Sequence, residues 1–152
     1  MRVGIAADHA GFEQKQYIKD LLQEHQFTVV DYGAYEYIPD DDFPDIIVPL
    51  AKGIQSAQVD CGIAVCGSGV GVSIAANKFK GVRAALISET YSAHQGVEHD
   101  AMNLLCVGGR VLGTSLIWEL VMAFLNATFQ HEDRFERRLM KVKKLEKENF
   151  KD

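Results

Sequence analysis

A chain of 152 residues, 47% apolar and 24% charged, can bury one good core but not two, so a single domain over residues 1–152 is expected. Its net charge of -5 lacks the Lys and Arg excess of a nucleic-acid binder and excludes that class, although a local cluster such as Arg134, Arg137 and Arg138 can still attract a small anion. No run approaches a membrane span, Met1 to Ala7 is too short an apolar run for a signal peptide, and three cysteines without metal-finger spacing read as free thiols. No membrane partner and a cytoplasmic location are therefore expected.

Short apolar runs bounded by Gly or Asp predict five buried strands: Arg2 to Ala7, Thr28 to Tyr32, Cys61 to Val65, Val82 to Ile87 and Leu104 to Val107. Glu13 to His25 is predicted helical, with Tyr17, Ile18, Leu21 and Leu22 on one side. Gly33 to Pro44, with its Asp40 to Asp42 run, is a surface loop leading into a helix that Pro49 delays or kinks. Val72 to Lys78 and Ser115 to Phe129 are further helices. A last one, Arg134 to Asn149, sets Phe135, Leu139, Val142 and Leu145 in a stripe expected to pack on a partner subunit. The pattern predicts an α/β, doubly wound, Rossmann-like fold: a five-stranded parallel sheet with helices on both faces.

The stretch Cys66-Gly67-Ser68-Gly69-Val70-Gly71 follows the third strand and precedes a helix, where open α/β sheets bind ligands and backbone amides await an anion. Val72 breaks the dinucleotide fingerprint, and no Walker sequence is present, so both nucleotide readings are weak. The glycines alone could simply make a tight turn. Cys66, at a strand end before a helix start, is expected to have its thiolate favoured and to be usable as a base, whereas Cys61 and Cys106 lie inside strands as small core residues.

Asp8-His9-Ala10-Gly11-Phe12, then the Cys66 to Gly71 loop, then Ile74-Ala75-Ala76-Asn77-Lys78 resemble ribose-5-phosphate isomerase B. His99, Asn103, Gly109-Arg110, Arg134 and Arg138 fall in the family's order, so the resemblance covers essentially the whole chain. It implies an aldose-ketose isomerase acting on a sugar phosphate without metal or organic cofactor, as a homodimer or dimer of dimers with active sites shared between subunits. Cys66 would move the proton between C2 and C1 while the amides of Gly67, Ser68, Gly69, Val70 and Gly71 hold the enediolate oxygens. His99 would open the sugar ring, and Asp8 would handle hydroxyl protons. His9, Arg110, Arg134 and Arg138 would clamp the phosphate. One branch of the family has a carboxylate at the position of Val72, which sets this chain in the cysteine branch.

Two departures stand out: Asp100 where the family often has Asn, and Phe135 where it often has His. Asp100, placed near the sugar, accepts but cannot donate hydrogen bonds when ionised, which opens the choice between ribose 5-phosphate and a six-carbon phosphate such as allose or galactose 6-phosphate. Phe135 is expected to affect packing only. His25, His94, His131 and Arg137 are assigned to the solvated surface. A noncatalytic phosphate or nucleotide sensor, and a thiol redox protein using Cys61 and Cys66, are the readings from other classes.

Overall fold

All five apolar runs are strands in the computed structural model, which describes residues 1–150. They are β1 (Arg2–Ala7), β2 (Thr28–Asp31), β3 (Cys61–Cys66), β4 (Ala84–Leu86) and β5 (Leu104–Gly108), joined in one parallel sheet of order β2-β1-β3-β5-β4. The central β1, β3 and β5 are buried almost throughout, whereas the edge strands β2 and β4 are partly exposed. β4 is shorter than predicted because the Arg83 amide donates to the side chain of Asn103 at 2.7 Å, and the ladder starts only at Ala84.

The helices are α1 (Phe12–Glu24), α2 (Phe43–Gln55), α3 (Val70–Ala76), α4 (Thr90–Asp100), α5 (Thr114–Asn126) and α6 (Asp133–Asn149). Side chains alternate across the strands, so the sheet feeds two apolar layers. Ile5, Ile63, Val65 and Val107 meet Ile18 and Leu22 of α1, Ala93 of α4 and Ile117 and Leu120 of α5 on one face. Ala6, Ala64, Cys66 and Cys106 meet Ile47 and Leu50 of α2 and Val72 and Ala76 of α3 on the other. The fold is the doubly wound one that the strand pattern predicts.

Beyond shifts of up to three residues at element ends, three helices depart from expectation. α2 starts at Phe43, not late: Pro44 sits in the first turn, where no amide donor is needed, and buried Ile47, Leu50, Ala51 and Ile54 hold the helix past Pro49. α4, to which the sequence pattern assigns no element, spans the segment between β4 and β5 and carries His99. α6 divides its stripe: Phe135 and Leu139 are buried in the chain's own core, where α6 packs on α4, while Val142 and Leu145 are exposed.

From β1 the chain turns outward to β2, and from β3 it turns the other way to β4 and β5. The carboxyl ends of β1 and β3 therefore flank a crevice at the point where the order reverses.

Candidate active site

Three loops converge on that crevice. After β1, the Asp8 carboxylate accepts the Ala10 amide at 3.0 Å and starts a single 3-10 turn, His9–Gly11. Gly11 presses on Val65: a Cβ there would lie 2.6 Å from the Val65 side chain and 2.7 Å from its carbonyl. After β3 comes the Cys66 loop, in which Gly69 has φ +80°. A Cβ on Gly69 would meet Leu86 at 2.6 Å and the Val107 backbone at 2.8 Å, so only glycine satisfies both the turn and the space. After β5, the amides of Gly109 and Arg110 donate to the carbonyls of Cys66 and Gly67 at 2.8 and 3.0 Å, which stitches Arg110 over the loop.

These loops enclose an open cavity of about 470 Å³, within the range of small-ligand sites. Asp8, His9, Cys66, Gly67, Ser68, Gly71 and Arg110 line it, together with Ala10, Phe43 and Val111. Cys66 is buried at 5% exposure, and its Sγ accepts the Gly69 amide at 3.1 Å; the Val70 amide donates to Ser68 Oγ at 3.2 Å. Phe43 closes one wall, its ring set so tightly on Gly71 that a Cβ there would come within 2.8–3.0 Å. The sequence offered only one signal for this residue, the start of an apolar helix after the acidic loop.

The electrostatics of the wall are shaped by burial and by one histidine–aspartate contact. Burial pushes the Asp8 carboxyl above the ordinary aspartate value and nearby Asp41 adds to the rise, against the opposing effects of the Ala10 amide and His9. His9 is tied to Asp41, whose Oδ1 accepts the His9 amide at 2.9 Å and lies 2.7 Å from His9 Nδ1. Asp8, His9 and Asp41 bring donor atoms within 4.8 Å of one another, the one such His, Cys, Asp or Glu cluster among the described residues. The acidic run gave no sign that Asp41 is buried.

Cys61 stands at the far end of β3 from Cys66, roughly 16 Å away by the rise of an extended strand, against the ~7 Å limit for a disulfide. Burial pushes the Cys61 thiol up to about 12 and also raises Cys106. The redox reading therefore fails on geometry.

His99, Asp100, Arg134 and Arg138 are not among the residues that line the Cys66 cavity. They form a second group on α4 and α6. His99 stacks on Phe135 with ring centroids 4.0 Å apart, and the guanidinium of Arg134 lies 4.4 Å from the centre of the same ring. Gln95 Nε2 lies 3.0 Å from His99 Nδ1 and 3.4 Å from an Asp100 oxygen. Arg134 and Arg138 are exposed.

Residues 3–142 match the model of the family described as Ribose/Galactose Isomerase. The ribose-5-phosphate isomerase B of Escherichia coli is 38% identical over 89% of this chain and 92% of its own length. A D-erythrulose-4-phosphate isomerase of Pectobacterium atrosepticum is 35% identical over 86% of both chains. The crystal structure of ribose-5-phosphate isomerase B from Mycoplasma genitalium with bound ribulose 5-phosphate superimposes with a TM-score of 0.92 at 39% identity, covering 97% of each chain.

Proposed function

Because the chain belongs to the ribose/galactose isomerase family, as an isomerase of the ribose-5-phosphate isomerase B type, we propose that it interconverts ribose 5-phosphate and ribulose 5-phosphate with Cys66 as the base. The observation that supports this reading best is the Cys66 thiol, set on the cavity wall with backbone amides on one side and His9 and Arg110 beside it. As a thiolate, Cys66 takes the proton from C2 of the open-chain aldose. The electron pair forms the C1–C2 double bond, and negative charge moves to the C1 oxygen, where amides of the Gly67 to Gly71 loop stabilise it. Cys66 then returns its proton to C1 while Asp8 relays the hydroxyl proton from O2 to O1, which leaves the ketose and a regenerated thiolate.

His99 opens the furanose ring, and Arg134 and Arg138 complete a phosphate clamp with His9 and Arg110. The α4 and α6 group does not line the Cys66 cavity of its own chain, which supports a shared site in which one protomer supplies Cys66 and a second copy supplies His99, Arg134 and Arg138. Mixed dimers of Cys66→Ala and Arg138→Ala protein then recover one intact site, and proven mixed dimers without activity would overturn the sharing. Three unpaired thiols suit a cytoplasmic location.

The deciding experiment is conversion of ribose 5-phosphate to ribulose 5-phosphate in the presence of a chelator, by wild type and Cys66→Ala. Turnover that is lost at least a hundredfold in the variant supports both the reaction and the base. Turnover that survives moves the base elsewhere. Asp100, exposed beside His99, favours a second reading in which a six-carbon sugar phosphate is the better substrate, and a parallel assay with allose and galactose 6-phosphates separates the two.

A further inference from the structure

Asp41 lies in the loop between β2 and α2, and its side chain is only 8% exposed although its neighbours Asp40 and Asp42 are exposed. One of its oxygens, Oδ1, meets both the His9 backbone amide and His9 Nδ1. The other, Oδ2, is buried without a hydrogen-bond partner. A buried carboxyl oxygen left without a partner is costly, so a fold that keeps the side chain there keeps it for what Oδ1 does. With Nδ1 held by the carboxylate, Nε2 is the ring nitrogen left for the cavity that His9 lines. In the imidazolium form both nitrogens donate, one to Asp41 and one into the cavity.

We propose that Asp41 is a positioning residue for phosphate binding: it fixes the His9 ring so that a protonated Nε2 donates to the phosphate of the substrate. The inference rests on reading the cavity as a sugar-phosphate site. A carboxylate behind a histidine sets both tautomer and ring orientation, as it does for histidines that bind metals. Without it the ring is free to turn about its χ2 bond and exchange its two nitrogens. Since phosphate is held alike before and during proton transfer, loss of this contact belongs in KM and not in kcat.

The test combines calorimetric titration of inorganic phosphate with steady-state kinetics on ribose 5-phosphate, using wild type, Asp41→Ala, Asp41→Asn, His9→Ala and the Asp41→Ala/His9→Ala double variant. Asp41→Ala is expected to weaken phosphate binding and raise KM about tenfold with kcat within about twofold. The double variant should bind no more weakly than His9→Ala, and Asp41→Asn, which keeps an acceptor oxygen, should recover part of the loss. Unchanged phosphate binding and KM in folded Asp41→Ala overturn the proposal, and so does a loss that adds to that of His9→Ala. Histidine 15N shifts of wild type give a reading independent of any variant's folding: a protonated Nδ1 on His9 supports the role, and a bare Nδ1 overturns it. Phosphate binding that depends on Asp41 in a protein that turns over no sugar phosphate would sink the isomerase reading alone; turnover with Asp41-independent phosphate binding would sink the positioning role alone.

Discussion

The ring of His99 lies flat on that of Phe135, 4.0 Å between centroids and 15° between planes, and Arg134 rests its guanidinium near the same phenyl ring. Phe135 is 1% exposed and anchors α6 against α4. Its ring thus packs against a ring-opening candidate and a phosphate-binding candidate at once.

Phe135→Leu keeps most of the apolar volume and removes the flat surface. The lost stack is worth about 0.5–1.5 kcal/mol, and kcat for ribose 5-phosphate should fall roughly five- to tenfold with a similarly modest loss of stability. Steady-state kinetics together with a urea midpoint measure both. An unchanged kcat in the folded variant would remove Phe135 from the ring-opening step.

Gly69→Ala asks a left-handed backbone to carry a side chain and drives its Cβ to 2.6 Å from Leu86 and 2.8 Å from the Val107 backbone. Leu86 can move, but the strand backbone cannot. Destabilisation of about 2–4 kcal/mol and loss of turnover are expected, read from urea unfolding and the isomerase assay.

Asp8 contributes instability that depends on pH. Its folded pKa is raised, so the folded state holds the proton more tightly than the unfolded chain, and stability falls as pH rises from the unfolded value of about 3.9 through the folded one. Above the folded value the full cost is present. Asp8→Asn, whose side-chain oxygen can still accept the Ala10 amide, should raise the melting temperature at pH 7, lose that advantage below pH 4, and lower turnover.

Asp31 behaves in the opposite sense. Burial opposes its charge, but hydrogen bonds from Lys15 and Lys19 outweigh burial and hold its pKa below the ordinary value. Its contribution is present above about pH 3.9 and is lost as pH falls through the lower folded pKa. Lys15 is wholly buried, so Asp31→Ala strands a charge and should cost about 3–5 kcal/mol at pH 7, whereas Lys15→Met leaves Asp31 paired with Lys19 and should cost less. Urea midpoints of the two variants at pH 7 decide the order.

The strands were legible because Val, Ile, Leu, Ala and Cys fill both faces of β1, β3 and β5, and the Cys66 loop because its glycines answer to hard constraints of φ and space. α4 was not legible: Ala93 is its one buried residue, and beside it Thr90 to Asp100 has only Val97 packed on the core and an exposed Tyr91, so no periodic stripe marks it. Asp8, His9, Cys66 and Arg110 line one cavity, since Cys66 ends β3 and the other three follow β1 or β5 on the same side of the sheet. Asp41 stayed hidden because three consecutive aspartates look alike in sequence, and only the folded loop selects the middle one for burial. The parting of His99, Arg134 and Arg138 from the Cys66 cavity was legible only through the resemblance, which implies sites shared between subunits; helix spacing by itself places residues on a face without saying which cavity that face serves.

Asp8, Cys66 and Arg110 stand at or just past strand ends, whereas Phe43 lines the same cavity from a helix start beyond the edge strand β2, and Asp41 acts on it only through His9, from the loop before that helix. Descendants of such a chain can lengthen, shorten or recompose residues 33–42 and so refit the cavity to substrates of another size, while the sheet that carries Cys66 goes on folding unchanged. A fold divided in this way lets selection alter diet without having to reinvent the reaction.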